Sequence, residues 1–201
     1  MLHLIFIFLT GLLLAFGLIC PMGLLNVYIL NQGANGHSYT KTVPVALTAS
    51  LADTFMIIIG VSGVALVISQ YPKLQMWLII FEILFLTYIG IVMWRAKFSI
   101  SQEKPTYSVK QQVFFTLGAF FLNPHAYLDT FGVIGVTAML YHNAAKIVFT
   151  ASVILVSWIW FFGLIGLGRL LRKSQFLYKI QGKLSAIIMW VSALFVSRLL
   201  F

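Results

Sequence analysis

The amino-acid sequence predicts an all-α integral membrane protein of six transmembrane helices, arranged as two inverted three-helix repeats with helices 1 and 4 broken at Pro21 and Pro124. Three observations predict it. Of 201 residues, 61% are hydrophobic and only 8% charged, against about 25% charged in a soluble domain. Between Lys41 and Lys73 the only charge is Asp53, and between Lys146 and Arg169 there is none. Each interval exceeds the roughly 20 apolar residues that cross a bilayer. Third, sliding the chain on itself by 103 residues places Pro21 on Pro124, Leu25 on Leu128, Asn26 on Asp129, Gly60 on Gly163, Gly63 on Gly166 and Arg95 on Arg198 without a gap. Leu and Gly match by chance in apolar sequence, but a proline followed five residues later by a polar group does not match so easily.

Charges and turn residues divide the chain into spans near 4–30, 43–69, 75–95, 112–140, 147–168 and 181–200. The first begins MLHLIFIFLTGLLLAFGLIC, without a basic leader or a small-x-small cleavage site, and reads as a retained span. Pro21 lies within it and lacks the amide hydrogen that would reach Gly17, so the helix is expected to break there. The second span carries Asp53, about 15 Å deep at helical rise. The third holds Glu82 and ends on Arg95, and the fourth is interrupted at Pro124, whose ring opposes the carbonyl of Phe120. The fifth and sixth are apolar, with Arg198 closing the last. The stretch SISQEKPTYSVK makes 97–110 a linker between a first repeat at 1–96 and a second at 111–201.

With six spans, ten Lys and Arg residues fall on one side and Lys73, Lys146 and Arg198 on the other. The positive-inside rule then places the first, third and fifth connections in the cytoplasm and both termini outside. The net charge of +9 reads as a topology signal beside anionic lipid, not as a nucleic-acid surface. Three spans per repeat is an odd number, so the second copy enters the membrane the opposite way up. That architecture recurs in secondary transporters, with the substrate site near the midplane where the copies meet.

Lipid tolerates broken backbone and ionisable side chains only where they face protein or water. The two breaks read CPMGLLNVYILNQG and NPHAYLDTFGVIG, and Asn26 and Asp129 follow their prolines by five residues, placed to point back beside the break. A charge at the bilayer centre costs roughly 2.5–3.5 kcal/mol on insertion scales. Asp129 and Asp53 therefore need a partner, a proton or water, although Asp53 could bond Thr48, Ser50 or Thr54 instead. Carboxylates so placed can bind a cationic group and change protonation as access alternates. The amides of a half-helix N-terminus could take a carboxylate, so the pair of features suits a zwitterion. His125, beside Pro124, suits a proton relay or a bond to the broken backbone. Glu82 ranks below the aspartates, Arg95 and Arg198 read as snorkelling anchors, and Gly60, Gly63, Gly163 and Gly166 as close helix contacts. His3, His37 and His142 fall near span ends.

No metal site is expected, because Cys20, Asp53, His125 and Asp129 do not form a ligand set of regular spacing, and no cofactor motif is present. A protease reading would rest on the Gly60-Val61-Ser62-Gly63 pattern, with Ser62 as nucleophile, or on an Asp53/Asp129 pair. The fifth and sixth spans offer Ser62 no histidine base, and the motifs of aspartyl proteases are missing, so no catalytic residue is expected. A channel would show a lined polar path rather than isolated points.

The stretches GLLNVYILNQG at 23–33, SLADTFMIIIGVSGV at 50–64 and FLNPHAYLDTFGVIG at 121–135 resemble the lysine exporter (LysE) superfamily of bacterial amino-acid effluxers, closest to its lysine and arginine branch. The first motif departs from the family pattern: Leu24 follows Gly23, and the proline stands at position 21. The resemblance implies export of basic amino acids across the cytoplasmic (inner) membrane, driven by the proton motive force, and gives functional weight to Asn26, Asp53, Asn123, Pro124 and Asp129. The expected partners are then an amino acid, protons and membrane lipid, with a homodimer left open. Another small amine, a neutral amino acid or a metal ion remains the alternative cargo.

Overall fold

The computed structural model describes residues 2–20, 23–35, 39–64, 71–95, 108–172 and scattered positions between 183 and 197. Pro21, His37, most of the 97–110 linker, most of the sixth span and Arg198 lie outside the described residues, as does the side chain of Glu82. All regular structure among the described residues is helical. The chain forms α1 (Leu2–Ile19), α2 (Leu24–Asn35), α3 (Tyr39–Ile59), α4 (Pro72–Arg95), α5 (Val109–Phe121), α6 (Pro124–Tyr127) and α7 (Asn143–Arg172). A π-helical turn, Gly60–Val64, extends α3, and a π-helical segment, Leu128–Gly135, extends α6 into a last turn, Val136–Ala138. Among the described residues three helices are long and apolar enough to cross a membrane: Leu2–Ile19, Tyr39–Gly63 and Asn143–Leu171. Their outward faces carry large apolar side chains such as Phe6, Phe55 and Ile159, the surface expected against lipid.

The segment expected as one first span is two helices, interrupted between Ile19 and Leu24. Both lie along α7. Ile7 and Ala15 of α1 share a core with Phe149, Val153 and Val156, whereas Leu25, Ile29 and Leu30 of α2 pack with Phe161, Leu164 and Ile165. Residue numbers rise together, so α1 and α2 follow α7 in parallel. At 30 residues α7 is about 45 Å long, enough to back both.

The fourth span is likewise two segments, with α5 ending at Phe121 and α6 starting at Pro124. Ser108 starts α5 with a capping box: its hydroxyl accepts from the Gln111 amide at 3.3 Å, and the Gln111 side-chain oxygen accepts from the Ser108 amide at 2.9 Å. These segments run beside α3. Ala119 and Phe120 pack with Ala46 and Ala49 near its start, while Ile57 and Val61 meet Ile134 and Ala138 near its end. Each broken span therefore lies parallel to one long helix, and α3 and α7 face each other at the centre. The α4 helix joins through Leu86, which packs with Ala186, Met189 and Ala193, and through Thr87, whose carbonyl accepts from Trp190 Nε1 at 3.3 Å.

The close helix contacts are not where the sequence places them. Gly163 and Gly166 have no described atom within 4 Å of where a Cβ would stand, and Gly63 adopts φ 119°, a left-handed conformation that favours glycine. Gly33 and Gly168 make the tight approach: a Cβ on Gly33 would strike the Ile165 carbonyl, and one on Gly168 the Leu30 carbonyl. The α2 and α7 backbones thus touch directly, as small residues permit in membranes. Of the sequence pairs, Gly60 alone packs closely, with its Cβ position 3.1 Å from Thr130.

Candidate functional site

A helix break in hydrocarbon leaves backbone groups without partners, and side chains supply them at both breaks. In an unbroken helix the Ile19 carbonyl would accept from the residue four positions on. Here the Asn26 side-chain amide donates to it at 3.1 Å. At the second break the Phe121 carbonyl accepts from the Tyr127 hydroxyl at 2.9 Å, and the His125 amide donates to Asn123 Oδ1 at 3.2 Å. Asn123 is thus the cap of α6, and Pro124 is its first helical residue, where a missing amide hydrogen costs nothing. Of the half-helix N-terminal amides expected to be open to a carboxylate, that of His125 is already taken by this cap.

Capping fixes the first turn of α6 and so aims its side chains. His125 and Asp129 stand four residues apart on one face, with Nε2 3.2 Å from Oδ2. Their side chains are 16% and 18% exposed and line a cavity of about 80 Å³. One water needs about 10–15 Å³, so the space holds several waters or a small polar ligand.

The α3 and α7 helices bring Asp53 and Ser157 to the same cavity. Ser157 is the fifteenth of the 30 residues of α7, at mid-helix. Its hydroxyl lies beside the Asp53 carboxylate, to which it can donate, and makes no other hydrogen bond among the described residues. Asp53 makes no ion pair among the described residues. Next to it in sequence, Thr54 Oγ accepts from Trp158 Nε1 at 3.0 Å, which ties the two central helices at this level.

Of the residues singled out from sequence, Asn26, Asp53, Asn123, His125 and Asp129 line this one cavity. Pro124 stands beside it at the start of α6, and Pro21 lies outside the described residues. Sequence reasoning missed Ser157, Thr130 and Tyr127. Ser157 had a signal: the 103-residue offset places it on Thr54, one hydroxyl on another. Ser62, the protease candidate, is exposed and donates to the Ile58 carbonyl of its own helix at 2.6 Å. No group of three or more metal-ligating side chains occurs among the described residues.

The family model described as LysE type translocator matches residues 16–199. The chain belongs to the LysE family. Among curated proteins this LysE-family chain is 41% identical to "Putative amino-acid transporter YisU" of Bacillus subtilis (strain 168), over 91% of this chain and 85% of that one. It is 30% identical to arginine exporter protein ArgO of Serratia proteamaculans (strain 568), over 94% of each, and 29% identical to ArgO of Escherichia coli (strain K12), over 94% and 92%. No solved structure matches. Family and helices together make the chain a multi-pass membrane protein of a translocator family.

Proposed function

We propose that this LysE-family chain exports basic amino acids, arginine or lysine, from the cytoplasm across the inner membrane, driven by the proton motive force. The observation that carries the reading is a mid-helix cavity lined by both Asp53 and the His125–Asp129 pair. Two acidic groups in a low-dielectric space favour cations, and a titratable pair beside them gives a proton somewhere to go. The relatives named as arginine exporters support the substrate class. Asn26, Asn123, Pro21 and Pro124 serve by holding the breaks open toward the cavity, and we attribute those breaks to the two prolines.

The reading includes an inverted repeat of 1–96 and 111–201, with both termini outside. An exchange of partners supports it. The first broken span packs on α7, and the second, 103 residues on, packs on α3, the equivalent of α7 in the first half. Equivalent positions Thr87 and Trp190 also meet each other, as residues near a pseudo-two-fold axis do.

The test is efflux of radiolabelled arginine, lysine and threonine from preloaded bacterial cells that express the chain, with and without a protonophore. Protonophore-sensitive loss of a basic amino acid is expected, and Asp53→Asn and Asp129→Asn should each abolish it while the protein still inserts. Selective loss of threonine would reassign the substrate to neutral amino acids. Full export by both variants would overturn the carboxylate mechanism.

A further inference from the structure

The two acidic groups of the cavity differ in their surroundings. Asp129 already has a cationic partner available in His125, whereas Asp53 has none among the described residues and has only a hydroxyl beside it. The structure therefore points to a division of labour: we propose that Asp53 and Ser157 together form the subsite for the cationic group of the substrate, and that the His125–Asp129 pair carries the coupled proton. This rests on the exporter reading above and assigns a substrate-contacting role to Ser157.

Ser157 is 2% exposed and lines the cavity at mid-helix. With its proton directed at the Asp53 carboxylate, the Ser157 hydroxyl still has an oxygen able to accept, and nothing among the described residues donates to it. A guanidinium or ammonium seated against Asp53 donates several hydrogen bonds, and the Ser157 oxygen is placed to accept one that the carboxylate cannot reach. Across the cavity, the Asn123 cap fixes the first turn and hence the direction of His125. Proton uptake turns the pair into imidazolium and carboxylate, and release returns it to neutral imidazole beside the carboxylate. Among the described side chains, the ionisable ones on the elements around the pair are His3 of α1, Lys41 and Asp53 of α3, Lys73 and Arg95 of α4, Lys110 of α5 and Lys146 and Arg169 of α7; of these, only Asp53 lines the cavity.

Sharing one small cavity couples the two sites. A substrate cation on Asp53 and an imidazolium at His125 repel each other strongly where water is scarce. Proton entry on one side therefore drives the substrate off, and substrate entry on the other drives the proton off. The result is antiport without a separate linkage.

The experiment uses the full chain, purified and reconstituted in proteoliposomes. Exchange of radiolabelled arginine at equal concentration on both sides, with no gradient, is compared with net efflux driven by an imposed proton gradient. His125→Gln and Asp129→Asn should lose gradient-driven efflux yet keep most of their exchange. Asp53→Asn should lose both. Ser157→Ala should raise the KM for arginine about tenfold in both assays, the worth of one hydrogen bond to a charged group, with proton coupling intact, and Ser157→Thr should restore it. Loss of exchange in His125→Gln together with net efflux, or normal exchange in Asp53→Asn, would overturn the division. A wild-type protein that exchanges neither arginine nor lysine would instead overturn the exporter reading on which the division rests.

Discussion

Replacing Gly168 by alanine should destabilise the protein, although alanine is the better helix former. A Cβ at this position would run into the Leu30 carbonyl and stand 2.9 Å from the Ala34 amide nitrogen. Ordinary contact begins near 3.4 Å, so α2 must back away from α7. Both obstacles are backbone, which has no rotamer to turn aside. Overpacking of this kind costs about 1–3 kcal/mol, and the gain in helix propensity returns about 1 kcal/mol at most. The difference is a net loss of about 0–2 kcal/mol, and because relief requires moving a helix we take its upper end, about 2 kcal/mol. For a chain of this size that is a fall of roughly 4–8 °C in Tm, read by thermal unfolding in detergent micelles. Gly163→Ala is the control: the same substitution, one and a half turns away on the same helix, meets no described atom within 4 Å. It should be neutral or stabilising by up to about 1 kcal/mol. If Gly168→Ala melts with the wild type, or Gly163→Ala falls as far, the direct backbone contact between α2 and α7 is wrong.

Two further outcomes follow from the second break. Asn123→Ala removes the acceptor for the His125 amide and should lower stability by about 1 kcal/mol, whereas Asn123→Ser, which can still cap, should recover most of it. Thermal unfolding of the pair reads both. Tyr127→Phe strips the donor from the Phe121 carbonyl and should cost about 1–3 kcal/mol if no water replaces it. An unchanged Tm for this variant would mean that water, rather than Tyr127, satisfies the break.

The helix breaks and the site are one construction. Three side chains close the open backbone of the two breaks: Asn26 on Ile19, Tyr127 on Phe121, and Asn123 on His125. Two of these three also line the cavity. A variant at Asn26 or Asn123 therefore changes packing as well as transport. The membrane-insertion control in the efflux assay separates the two effects.

Much of this was legible in the chain of residues because the bilayer is a severe solvent. Apolar runs longer than a membrane is thick, and carboxylates inside them, have few permitted explanations. Those constraints alone pointed to Asp53, Asp129 and the two breaks, and the 103-residue offset related one break to the other. What residue order leaves open is which faces meet. Four glycines matched at the offset, yet the tight contact belongs to Gly33 and Gly168, because a glycine's packing depends on the distance to the helix opposite and not on its neighbours in sequence. Ser157 is one hydroxyl among many in apolar sequence until α3 and α7 set it beside Asp53. The pairing of His125 with Asp129 could be drawn on any helix at a spacing of four. That both share one cavity with Asp53 was decided only when each broken span packed along a long helix, which brought the two breaks and the acid of α3 together.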